Sequence, residues 1–263
     1  LILNREPETF EVLKEYNLDL SRAKAYACPS FLFEAADDEE IKDILIKEKI
    51  KDKNKKTVGF ILCGFNFLEA PYDKPRKDEE FTQFAEAIEH IINDLNCRVV
   101  LLSHSNGFEL PPNFKLINGR DYKTVKQLYD VLLRRGKIDE ENLHLIANPY
   151  IPKLTKAIIR NFDMLVTGRL HASVAGLSQY VPTVNIIYGN GPKAHKTIGF
   201  FKIAGTEEYI SSPHNSKNII EKIDLCFNNL EKYREHLKKR IPEVQKIARE
   251  QFDLLKTLDE GTR

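Results

Sequence analysis

No stretch of this 263-residue chain approaches the roughly 18–20 consecutive apolar residues that a membrane-spanning helix requires, and no secretory leader pattern is visible in it. The chain starts at Leu1, inside a segment that reads as structured, so it is expected to be part of a longer protein. A charge excess of one sign is also missing. The 40 Lys and Arg against 39 Asp and Glu leave a net charge of +1, which removes any compositional ground for a nucleic-acid partner or a polyanion sink. Cysteine is sparse: Cys28, Cys63, Cys97 and Cys226 form no C-x-x-C pair and match no zinc spacing. They read as small buried thiols in a reducing compartment, consistent with a cytoplasmic location. No H-x-x-x-H pair is present, so no metal is expected. The nucleophile elbow G-x-S-x-G, the phosphate loop G-x-x-x-x-G-K-[ST] and the dinucleotide fingerprint G-x-G-x-x-G are absent as well.

What is present is an ordinary globular composition, long enough for one large α/β domain or two smaller ones. The first 20 residues suit a short helix ending near Asn17, and "AYACPSFLFEA" suits a short strand and a turn at Pro29. Ile41, Ile44 and Leu45 have the spacing of an amphipathic helix. The lysine-rich run from Lys47 to Lys56 reads as a solvated linker and a domain boundary. A regular alternation follows. Apolar strands are expected at 57–64, 98–104, 143–147, 163–168 and 183–188. Helices are expected at 79–97, at 122–136 closed by Gly136, at 151–162 with Pro152 in the first turn, and at 170–180. Continuous apolar strands alternating with helices predict a Rossmann-like parallel sheet covered on both faces. From about residue 217 the chain reads as helical, with Pro242 expected to divide that region.

In open parallel sheets ligands bind at the carboxyl ends of strands. Three such loops carry His104, then Arg169 and His171, then Lys193, His195 and Lys196 in "GNGPKAHKTIGFFK". That is a cationic, titratable rim with almost no carboxylate. It suits a small anionic ligand held by Arg169 and by the amino end of the helix starting at Leu170. Ala172, Ser173, Ala175 and Gly176 allow that helix to approach the sheet closely. His90, His144, His214 and His236 are assigned no role.

The stretch "FDMLVTGRLHASVAGLSQYVPTVNIIYGNGPKAHKTIGFF" resembles the C-terminal signature of the polysaccharide pyruvyl transferase family, with Gly168, Arg169, Leu170, His171, Ala172, Val181, Pro182, Tyr188, Lys196, Gly199 and Phe200 in matching places. Upstream, "LNREPETFEVLKEYNLD" resembles the family's Arg-Glu segment and "VVLLSH" its strand ending in His. "PSFLF" resembles a segment that usually begins Asp-Pro, but Cys28 stands where the acid is expected. A further N-terminal Gly-Asp motif of the family is not found.

The resemblance implies a two-domain GT-B-like fold. Residues 1–47 would end an N-terminal Rossmann-like domain, 57–215 would form the C-terminal donor-binding domain, and 216–263 would be closing helices. It implies transfer of a pyruvyl group from phosphoenolpyruvate to a sugar or lipid-linked glycan acceptor, forming a ketal, with no cofactor. Peripheral membrane association is compatible with such an acceptor. His171 and His104 would be the catalytic acid and base in an order the sequence leaves open. Arg169, Lys196, Leu170, Tyr188 and Lys193 would bind the donor. Two alternatives remain: a GT-B-type glycosyltransferase using a nucleotide sugar, and a non-catalytic sugar-phosphate-binding protein.

Overall fold

The computed structural model describes residues 2–50, 54–67, 76–188 and 194–260. In chain order these form β1 (Ile2–Asn4), α1 (Glu8–Glu15), β2 (Ala23–Ala25), α2 (Asp38–Lys47), β3 (Thr57–Ile61), α3 (Thr82–Asn93), β4 (Arg98–Leu101), β5 (Asn106–Phe108), β6 (Leu116–Asn118), α4 (Arg120–Arg135), β7 (Leu143–Leu145) and α5 (Pro152–Arg160). They continue with β8 (Met164–Thr167), α6 (Leu170–Ser178), β9 (Thr183–Ile186), α7 (Ala194–Ala204), β10 (Ile210–Ser211), α8 (Ser216–Phe227) and α9 (Leu230–Glu260).

Strands β3, β8 and β9 are buried along their whole length, as their predominantly apolar runs imply. They belong to a parallel sheet in the order β10-β9-β8-β3-β4-β7. Within this sheet the path starts at β3, steps outward to β4 and β7, then returns to β8 beside β3 and steps the other way to β9 and β10. This is the doubly wound order, and its switch point lies between the carboxyl ends of β3 and β8. Alternate residues of the strands face opposite sides. Phe60, Val99 and Val166 join a cluster with α3, α4, α8 and α9, whereas Ile61, Val100 and Leu165 join one with α2, α5 and α6. Ile41, Leu45 and Ile50 lie in the second cluster, so α2 packs on the sheet although the lysine-rich segment separates them in sequence. All four cysteines are free and buried.

Local signals explain the helix ends. Asp37 and Glu40 form a reciprocal capping box on α2, Pro152 opens α5, and Gly136 ends α4 in the left-handed conformation. In α3, Phe84, Ala85, Ile88, Ile91 and Ile92 form the expected buried face.

Four features depart from the sequence reading. β10 adds a sixth strand, and β5 pairs antiparallel with β6 in a hairpin; both are too short to give a periodic signal. Much of the expected glycine-rich loop after β9 is helix α7, so His195 and Lys196 sit on a helix; residues 189–193, Lys193 among them, lie outside the described residues. The expected division at Pro242 falls instead at Asn228–Asn229, and Pro242 lies inside α9. Burial of Leu237, Ile241, Val244 and Ala248 on both sides of the proline holds that helix together despite the missing backbone donor. Among the described residues no helix is long and apolar enough to cross a membrane.

Candidate functional site

The site is built at the switch point. Asn66, fully buried in the turn after β3, ties three strand ends together. Its amide donates to the carbonyls of Gly168 at 3.3 Å, Ile186 at 2.9 Å and Ile187 at 3.2 Å, and its oxygen accepts the Cys63 N–H at 2.9 Å. The glycine before Arg169 is required by this approach, because a Cβ at Gly168 would lie 1.8 Å from Asn66 Oδ1. Gly168→Ala is therefore expected to lower stability by about 1–3 kcal/mol, read as a reduced urea midpoint; an unchanged midpoint would contradict the clip.

Arg169 follows, its N–H bonded to the Thr167 hydroxyl at 3.0 Å, and α6 starts at Leu170. Its guanidinium is not an open anion clamp. Nε and Nη2 donate to the two oxygens of Asp121, each at 2.7 Å. Asp121 is fully buried and comes from the first turn of α4, so the rim expected to be nearly free of carboxylate has one behind its arginine. Burial pushes the Asp121 carboxyl above its ordinary value, and Arg169 opposes that shift. An acid in a helix's first turn looks like ordinary dipole complementation, so nothing in the sequence marked Asp121 as Arg169's partner.

The N-terminal segment supplies another cation. β1 and β2 pair, α1 packs along α7, and Lys202 bonds Glu8 at 2.7 Å. Buried Glu6 accepts the Thr9 N–H of the first turn of α1 at 3.1 Å, and it approaches α7 where Gly199 leaves room; a Cβ there would lie 2.1 Å from Glu6 Oε2. Arg5 is thereby carried to 3.3 Å from His171 Nε2. The Arg-Glu segment was the only trace of this in the sequence.

Five of the expected residues meet in one cavity of about 250 Å³. Arg169, Leu170, His171, Tyr188 and Lys196 line it together with Arg5 and Phe65. The Tyr188 ring lies 4.9 Å from that of Phe65, and burial first, then neighbouring Cys63, pushes its phenol up to about 12.

His104 does not line this cavity. It borders two others, of about 390 Å³ and 340 Å³, and His171 borders both of these too. His171 is thus the residue common to all three spaces. Burial, then the charges of His171 and Arg169, lower the His104 pKa to about 3. Protein packed around the His171 ring, then Arg5 and Arg169, hold that imidazole below its ordinary value as well. Both shifts favour the neutral imidazole, and the far lower value of His104 leaves His171 the stronger base of the two. Of the histidines assigned no role, His90 is held between Asp94 at 2.7 Å and Asp224 at 2.6 Å, His144 bonds Glu48 at 3.1 Å, and His236 bonds the Ala204 carbonyl at 2.8 Å.

This architecture is shared with several solved structures. HepE from Anabaena, solved in complex with UDP, superimposes with a TM-score of 0.60 at 12% identity over 98% of this chain and 64% of that one. Sucrose-phosphate synthase from Thermosynechococcus elongatus does so at 0.60, with 10% identity over 98% of this chain and 58% of its own. A glycosyltransferase from Rickettsia africae gives 0.57, with 12% identity over 97% and 62%. The chain therefore spans less than two thirds of each of these proteins. Identities this low define the fold alone: a Rossmann-like α/β chain of the GT-B type. The family is given by the sequence, which matches the family model for polysaccharide pyruvyl transferase over residues 1–190; the chain belongs to that family, a family of transferases acting on polysaccharides. No curated protein sequence matches it.

Proposed function

We propose that this protein transfers a pyruvyl group from phosphoenolpyruvate to two hydroxyls of a sugar in a polysaccharide precursor, free or lipid-linked, on the cytoplasmic side. The observation that carries the reading is the convergence of Arg5, Arg169 and Lys196 with His171 on one cavity of about 250 Å³ at the switch point, in a chain of this family. A space this size, below the roughly 300–1,000 Å³ of sites for drug-sized ligands, suits a three-carbon donor better than a nucleotide sugar. The donor's phosphate and carboxylate would face Arg5, Lys196 and the amino end of α6, with Arg169 fixed in place by Asp121.

The chemistry follows from the neutral imidazole. His171 takes the proton of the first sugar hydroxyl as its oxygen bonds to the central donor carbon. The electron pair of the double bond takes that proton back from His171, turning the methylene into a methyl. The second hydroxyl then displaces phosphate, which leaves with its bonding electrons and carries off the second proton. Two C–O bonds form, one C–O bond to phosphate breaks, and the products are the ketal and hydrogen phosphate.

Calorimetric titration of phosphoenolpyruvate into the wild type, Arg5→Ala and Lys196→Ala tests the reading. Binding that each variant weakens at least about tenfold is expected, because a charge-assisted hydrogen bond contributes about 1.5–3 kcal/mol. Binding of a nucleotide sugar in place of phosphoenolpyruvate would replace pyruvyl transfer with glycosyl transfer. Donor binding with no turnover in the complete protein would point to a sugar-phosphate-binding role.

A further inference from the structure

The cavity of about 390 Å³ is chemically unlike its neighbour. Pro29, Phe33, Pro152 and Ala175 line it together with Ser30, His104, His171 and Lys156. Phe33 is 48% exposed and offers a ring to the space. Lys156 is 4% exposed and makes no ion pair with a carboxylate among the described residues. Its ammonium donates to the carbonyls of Ser30 and Phe33, and burial lowers its pKa to about 8. An ammonium has three N–H donors, so two carbonyls leave one donor for an oxygen arriving in the cavity.

The walls are fixed. Pro29 to Phe31 form a short 3-10 turn with Phe31 buried, and Gln245 of α9 bonds the Phe31 carbonyl at 3.1 Å. Pro152 and Lys156 project from α5, and His171 and Ala175 from α6.

We infer that this apolar chamber is the acceptor subsite, taking one neutral pyranose ring. The ring's C–H face would lie on Phe33, and a ring hydroxyl would accept from Lys156. The inference rests on the pyruvyl-transfer reading only for what lies on the other side of His171. A trianionic donor does not suit the chamber, since its one lysine is already engaged by two carbonyls. A sugar does, because the negative face of an aromatic ring attracts the polarised C–H groups of a pyranose, and hydroxyls match an N–H donor. A ring seated here places its hydroxyls at His171, which also lines the cationic cavity. Acceptor and donor would thus enter from opposite sides of one imidazole.

The test is saturation-transfer NMR of the full chain with methyl glycosides of glucose, galactose, mannose and N-acetylmannosamine, with phosphoenolpyruvate binding measured in parallel. At least one glycoside is expected to receive saturation from the wild type. Phe33→Ala, at an exposed position, should weaken that binding about five- to tenfold. Lys156→Met should weaken it about tenfold. Both should leave phosphoenolpyruvate binding unchanged. Equal glycoside binding by wild type and Phe33→Ala, or saturation of none of the four, overturns the assignment. Glycoside binding lost in Phe33→Ala, in a protein that never binds phosphoenolpyruvate, would retain the sugar chamber and remove the donor reading.

Discussion

His171→Ala is expected to fold like the wild type and to lose at least about 100-fold in turnover, the lower end of what a positioned acid–base group supplies. The fold should survive because His171 sits in the first turn of α6, lines cavities rather than the hydrophobic core, and is replaced by the best helix former. Donor binding should persist, since Arg5, Arg169 and Lys196 remain around the cavity. The pH profile gives an independent check. Packing around the ring and the charges of Arg5 and Arg169 hold the free-enzyme imidazole below its ordinary value. The base form is then present from more acidic pH, so the acid limb of kcat/KM should lie below about 6.5. That limb should vanish in the residual activity of His171→Ala. Wild-type turnover in the folded variant, or an acid limb above the ordinary histidine value, would remove His171 from the mechanism.

Arg169→Ala is expected to lower stability by about 3–5 kcal/mol at neutral pH, the range for removing one partner of a buried ion pair. The reason is Asp121. It is fully buried, and both its oxygens are held by Arg169, so the variant leaves a buried carboxylate without its cation. The pH dependence has a definite sign. Burial alone raises a carboxyl pKa, and a carboxyl whose folded pKa is raised binds its proton more tightly in the folded state than in the unfolded one. The variant is therefore least impaired below the ordinary carboxylate range, and its stability falls as pH rises through the elevated value. Urea unfolding of Arg169→Ala and of Arg169→Ala with Asp121→Asn checks this. The double variant should be the more stable of the two at pH 7, with a flatter pH profile. Equal stability of the two would show that Asp121 does not depend on Arg169. Loss of donor binding in Arg169→Ala alone would be ambiguous, which is why Arg5 and Lys196 serve better as tests of the anion site.

The run of apolar residues in β3, β4, β8 and β9 revealed a parallel sheet because strands covered on both faces cannot alternate with polar residues. Arg169, His171 and His104 were legible as candidates because parallel strands deliver their carboxyl-end loops to one side of the sheet. The family signature was legible for a different reason: it is a contiguous run from β8 into α7. Residues that gain meaning only from distant partners were not legible. Lys156 reads as an ordinary helix lysine in "IPKLTKAIIR", yet α5 turns it inward against the carbonyls of Ser30 and Phe33. Asn66 sits in a short turn with no periodic signal, and only the adjacency of β3, β8 and β9 makes it a clip.

The sequence by itself determined the fold class, the family and the loops that hold the candidate site, because each is written in local patterns of burial or in one contiguous motif. Only the tertiary structure decided which charges are compensated and which spaces exist. Pairing of Arg169 with Asp121 spans 48 positions, and that of Arg5 with His171 spans 166. The physical reason is that cavities and ion pairs form where elements remote in the chain close on one another, and no local pattern records that distance.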